Sequence, residues 1–263
     1  MTILTANILS EDAHKLSELA NRNIDSLNGT CQQHDDIQDY YLGMLRKQSI
    51  ILQDISKIIL NRDMQYISTP FILIRSLLDD FLHVLYLEFH KDFKEEIIKI
   101  NATSQLHSFD AISRLTISNH KHFNGNYPFY STIEEFNKLK ENFRNKAENF
   151  KYFKNILNFK FKKIISLTDL VNKIDCPKSV EVFKDRAFFY WKEFSDFIHY
   201  SNYSFYYELN DDYRELNLQK IDESFQYCYN TIYLSFKYFE RNLKISFVNS
   251  AELMGKYGII HKC

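Results

Sequence analysis

Thr69-Pro70-Phe-Ile-Leu-Ile-Arg75-Ser-Leu-Leu-Asp79-Asp80-Phe-Leu-His83-Val-Leu-Tyr86-Leu-Glu-Phe-His90 is the stretch on which the fold turns. Thr69 is suited to cap a helix, and a proline at the first helical position loses no hydrogen bond, because that N–H has no intrahelical acceptor. The residues that follow are apolar nearly all round the helix, which places it centrally in a bundle. Phe71 to His90 is long enough to cross a bilayer, but Arg75, Asp79, Asp80 and His83 would lie inside it. Each Arg or Asp at mid-membrane depth costs about 2.5–3.5 kcal/mol, so a buried helix of a water-soluble protein is expected. No membrane partner is expected.

Outward from this helix the same periodicity dominates. Only 5 of 263 residues are glycine and 3 proline, well under the roughly 12% of ordinary usage. Sheets with many tight turns draw on those residues for their dihedrals, which excludes an all-β sandwich or barrel. Apolar residues at 45% and charged residues at 25% describe a globular chain rather than a disordered one. The expected fold class is all-α, a single bundle of about six or seven helices. It is read as one domain over 1–263: an N-terminal helix within 1–30, the bundle over 31–247 and a tail at 248–263. Ile37, Tyr41, Met44, Ile51, Ile55 and Ile58 mark one face of a long helix over about 32–61. A more polar helix is expected over 91–115, and Asn124-Gly125-Asn126 with Pro128 marks a loop over 116–130. Ser131 or Thr132, each with a glutamate three residues on, opens a basic helix. A short helix or turn is expected at 168–174, a helix from Pro177 to about Tyr200, a polar loop near 202–216 and a last long helix ending at Leu243.

Net charge is −1 but unevenly spread. Lys138, Lys140, Arg144, Lys146, Lys151, Lys154, Lys160, Lys162 and Lys163 are opposed in their segment only by Glu141 and Glu148. Such asymmetry marks an anionic partner, and RNA is the candidate. Lys138, Lys140, Arg144, Lys151, Lys154 and Lys162 are the candidate phosphate contacts. Phe143, Phe150, Tyr152, Phe153, Phe159 and Phe161 interleave with them as candidate stacking rings. The alternative is a solvated face opposite a Phe-rich core face. Cys31, Cys176, Cys228 and Cys263 show neither a CxxC pair nor zinc-like spacing, as expected of reduced thiols in the cytoplasm. The start, MTILTANILSEDAHK, lacks the basic region of a signal peptide. No cofactor is expected.

The candidate site comes from two polar stripes. On a wheel of about 100° per residue, Arg75, Asp79, His83, Tyr86 and His90 fall within less than a quarter-turn. Buried charges must be paired or neutralised, so the stripe faces either a polar partner or a water-filled cleft. The bland reading is an Arg75–Asp79 ion pair that fixes helix register. The second stripe joins Lys192, Ser195, His199 and Asn202, with Asp196 three residues before His199 and placed to set its tautomer. Arg75, Asp79, His83, Ser195, Asp196 and His199 are the candidate catalytic residues.

Two segments carry a resemblance: Ile74-Arg75-Ser76-Leu77-Leu78-Asp79 and Trp191-Lys192-Glu193-Phe194-Ser195-Asp196-Phe197-Ile198-His199. With them the chain resembles a group of prokaryotic all-helical proteins that carry an R-S-L-L-[E/D] helix followed by an S-x-F-[I/V]-H helix. Asp79 stands here where Glu is commoner, and the likeness spans roughly residues 40–240. That group is similar to the HEPN superfamily of toxin and anti-phage defence systems. The resemblance implies a metal-independent ribonuclease or RNA-binding protein, in which an R-x(4–6)-H motif supplies a phosphate-binding Arg and an acid/base His. This chain departs from that pattern. Its one match, Arg114 to His120, runs toward the expected loop, and chance alone supplies such a spacing among this many arginines and histidines.

Two other functions stand beside this one. A non-enzymatic regulatory module would use the stripes for packing and meet a protein partner or a second copy of the chain. A metal-dependent hydrolase would use Asp79 with His83 and Asp196 with His199 as ligands, although the two Glu-x-x-His motifs of the di-iron bundles are not both present.

Overall fold

The computed structural model describes residues 4–31, 35–62, 68–199 and 213–259. Their secondary structure is mostly helical, and the chain folds as two compact units: residues 1–91 with 167–263, and residues 92–166 inserted between them. The sequence shows no boundary at either junction, because no Gly- or Pro-rich linker marks one.

The first unit contains α1 (Ala6–Ser26), α2 (Asp36–Arg62), α3 (Ser68–Phe89), α6 (Leu167–Val171), α7 (Lys178–Ile198), α8 (Arg214–Leu243) and α9 (Ala251–Tyr257). Thr5 caps α1, its hydroxyl accepting from the Ile8 N–H at 3.3 Å. α1 and α2 run antiparallel on a seam of small residues: Ser10 and Ser17 donate to the carbonyls of Ser56 and Ser49 at 2.9 and 2.8 Å. α3 is the central helix and packs against α2, α6, α7 and α8, as its all-round apolarity demands. Phe71 of α3 stacks on Phe194 of α7 (4.2 Å) and Phe81 meets Tyr227 of α8 (5.1 Å), which fixes both neighbours.

Residues 248–259 are no loose tail. Ser250 caps α9, Leu253 and Tyr257 are buried, and Asn23 of α1 holds the Val248 backbone at both its N–H and C=O. Cys263 and most of the expected loop at 202–216 lie outside the described residues, whereas α8 already begins at Arg214.

The second unit comprises α4 (Phe93–Phe123), α5 (Ile133–Asn145), a 3-10 turn (Ala147–Tyr152) and an antiparallel hairpin of β1 (Phe153–Asn155) and β2 (Lys160–Phe161). α4 runs eight residues beyond its expected end at 115 and stops at Asn124, which adopts φ 51° ahead of Gly125 at φ 80°. The fully buried Asn119 explains the extension: its side chain donates to the Tyr130 carbonyl (3.0 Å) and accepts from the Tyr127 N–H (3.0 Å), so the helix itself organises the loop. The capping box is present at Thr132 and Glu135, but the helix it opens ends at Asn145. The remaining basic residues lie on the 3-10 turn, the hairpin and the segment after it. Phe109, Phe143, Phe153, Phe159 and Phe161 pack together beneath them as the core of this unit.

Candidate functional site

The stripe on α3 faces α7 through Trp191 and Ser195, which lie one turn apart. The Ser195 hydroxyl donates to the Trp191 carbonyl at 2.7 Å and accepts from Arg75 Nε at 2.9 Å. This holds the Arg75 guanidinium over the Trp191 ring, 4.8 Å from its centroid. Trp191 Nε1 in turn donates to Asp79 Oδ1 at 3.1 Å. Arg75 and Asp79 thus both bind across to α7, and the ion pair of the bland reading is absent among the described residues.

His83 completes the group. Its Nδ1 lies 2.8 Å from the Asp79 carbonyl oxygen and 3.5 Å from Asp79 Oδ2. A carbonyl oxygen only accepts, so Nδ1 carries a proton, and in the neutral ring Nε2 is left with its lone pair. The His83 side chain is 18% exposed. The terminal nitrogens of Arg75 are likewise uncommitted to any described residue. The arrangement offers a fixed cation, a base of defined tautomer, and a carboxylate placed to stabilise the imidazolium that proton uptake creates.

Arg75, Asp79, His83 and Ser195 are therefore brought together. Asp196 and His199 are not joined to them among the described residues: both side chains are exposed, and His199 ends α7 as its C-cap. Asp79, on the same helix as His83, does the orienting that the sequence assigned to Asp196. The Asn202 of the second stripe lies outside the described residues. Arg114 and His120 lie on α4 in the other unit, both exposed.

Sequence reasoning missed a second polar group on the opposite flank of α3. Asp80, 3% exposed, accepts from Lys47 Nζ at 2.7 Å and Gln48 Nε2 at 3.4 Å, both from α2. Burial pushes its carboxyl up to about 6 although Lys47 pulls it down. The buried hydroxyl of Tyr40 is in electrostatic reach of Asp80 and makes no hydrogen bond among the described residues. Its signal in the sequence was a gap: Tyr41, Met44, Ile51 and Ile55 leave position 48 on the apolar face, and a glutamine fills it.

The basic segment forms no single helical face. Lys138 and Lys154 are exposed, Lys140 lies over the rings of Phe136 and Phe159 (5.5 and 5.2 Å), and Lys151 lies over Tyr152 (5.2 Å). Lys162 pairs with Glu95 at 3.0 Å, and Arg144 is partly buried. Of the interleaved rings, Phe143, Tyr152, Phe153, Phe159 and Phe161 belong to the core, so only the half-exposed Phe150 remains for stacking on a base.

Cys31, Cys176 and Cys228 are free thiols. Among the described residues, no group of three His, Cys, Asp or Glu side chains is gathered to hold a metal ion, and no helix is long and apolar enough to cross a membrane. The chain matches no protein-family model, no curated protein and no solved structure.

Proposed function

We propose that the α3–α7 group is the acid–base and phosphate-binding centre of an RNA-directed, HEPN-like protein of the cytoplasm that cleaves RNA without a metal. The observation that carries this reading is His83, whose Nδ1 is tied to the Asp79 carbonyl so that Nε2 is free to take a proton. In cleavage by internal attack, Nε2 removes the proton of a ribose 2′-OH as that oxygen bonds to phosphorus. The bond from phosphorus to the 5′-oxygen breaks, and the 5′-oxygen takes a proton from water. Asp79 Oδ2 stabilises the imidazolium formed on His83. Arg75 lies two turns away, about 12 Å along the axis, and its side chain leans further toward the N-terminus. It therefore binds a neighbouring phosphate of the strand rather than the scissile one.

The test is cleavage of a labelled single-stranded RNA in excess EDTA, with an all-deoxy strand as control. The expected result is RNA products ending in a cyclic phosphate, no cleavage of the deoxy strand, and loss of activity in His83→Gln with Tm unchanged. Arg75→Ala raises KM more than it lowers kcat. Cleavage retained by His83→Gln, or none from the wild type, removes the nuclease. A large fall in Tm for Arg75→Ala assigns the group to packing and supports the regulatory-module reading instead.

A further inference from the structure

The hairpin of the second unit carries a feature that no RNA chemistry uses. Its turn, Ile156–Phe159, presents Leu157 at 83% exposure, among the most exposed large apolar side chains described. Lys154 and Lys160, three residues to either side, are both exposed. The turn is held out at a conformational cost. Phe159 adopts φ 50°, a region that costs a bulky residue on the order of 1 kcal/mol or more. It is kept there because its ring packs against Phe109, Phe153 and Phe161 (5.0–5.4 Å), while Asn155 Oδ1 accepts from the Asn158 N–H at 3.1 Å. A leucine is thus fixed in water between two cations. The unit around it has 13 basic against 8 acidic side chains, so its field attracts anions.

We propose that this turn docks on an anionic lipid surface, with Leu157 entering the headgroup–acyl boundary and Lys154 and Lys160 facing the acidic headgroups. A lone leucine between lysines is too small for the roughly 800 Å² per partner of a stable protein interface. A lipid surface supplies apolar depth and negative charge wherever it is touched, and each lysine near it contributes about 1 kcal/mol. Nucleic acid is the poorer fit, because the rings of the hairpin are spent in the core and leucine offers no face for stacking. Contact of this kind needs no spanning helix, so the expectation of no membrane partner, drawn from the want of one, does not bear on it. It also shares no residue with the α3–α7 group, since every residue it uses lies in residues 92–166.

The test is co-sedimentation of the full chain with vesicles of pure phosphatidylcholine and with vesicles holding about 30% phosphatidylserine. Binding is expected to the anionic vesicles only, and to weaken steeply as salt rises. Leu157→Glu lowers the affinity at least about tenfold, Lys154→Glu with Lys160→Glu abolishes it, and circular dichroism shows both variants folded. Equal binding to both vesicles, no binding, or binding indifferent to Leu157→Glu overturns the proposal. So does polyuridylate bound through Leu157 by a protein that ignores the vesicles, which makes the hairpin a nucleic-acid element.

Discussion

Asp80 separates the two flanks of α3 in energetic terms. Its neighbour Asp79 is 35% exposed and bound to Trp191, whereas Asp80 is almost wholly buried and leans on Lys47, whose own side chain is 39% exposed. Burial raises the Asp80 carboxyl from 3.8 to about 6. Between those values the native state holds more protons than the unfolded chain, so stability is full below the lower one and is lost as pH rises through the upper. The change is on the order of 3 kcal/mol. Asp80→Asn is expected to abolish that slope: in urea titrations from pH 4 to 7, wild type loses stability relative to the variant as pH rises. A constant difference would mean that Lys47 keeps Asp80 ionised throughout. This pair was within reach of the sequence only as the misplaced Gln48. Arg75, Asp79 and His83 were legible as a group because ionisable residues on one stripe of an apolar helix must find polar partners. The role of Trp191 was hidden, since its partner lies 112 residues away in the chain.

At the level of elements, legibility followed the length of the periodic signal. α2, α3 and α7 begin and end within a few residues of expectation because each runs for five turns or more, and Pro70 and Pro177 stand at the starts of α3 and α7, although α3 begins at Ser68 and so takes in Thr69, the expected cap. The hairpin was not legible: strands of three and two residues leave no alternation to detect, and the lysines around them resemble a solvated helix face. What makes the strands is the ring cluster, so removal of its hub is the decisive test. Phe109 touches Phe136, Phe143, Phe159 and Phe161. Phe109→Ala is expected to cost about 3–5 kcal/mol. Amide exchange should accelerate over 92–166 and stay unchanged in α1, α2 and α8. Uniform acceleration along the whole chain would show instead that the two units unfold as one.

Over the whole molecule, the ends of the described chain are joined by charge. Lys256 Nζ lies 2.6 Å from Asp12 Oδ2 and 3.2 Å from Asp222 Oδ1, and the Tyr257 hydroxyl is 2.9 and 2.7 Å from the same two oxygens. α9 is thereby tied at once to α1 and α8, while Lys15 of α1 reaches Glu252 at 2.8 Å. A phenol has one proton and cannot serve two carboxylates, whereas an ammonium has three and carries the compensating charge. Lys256 is therefore the member that lets Asp12, 8% exposed, stand beside Asp222. Tyr257→Phe removes one donor and is expected to cost about 1 kcal/mol, and Lys256→Met, which leaves two carboxylates facing each other over a single proton, about 2–3 kcal/mol. Thermal unfolding at neutral pH should show Lys256→Met melting below Tyr257→Phe. If Tyr257→Phe is the more damaging, the phenol hydroxyl and not the ammonium is what joins Asp12 to Asp222.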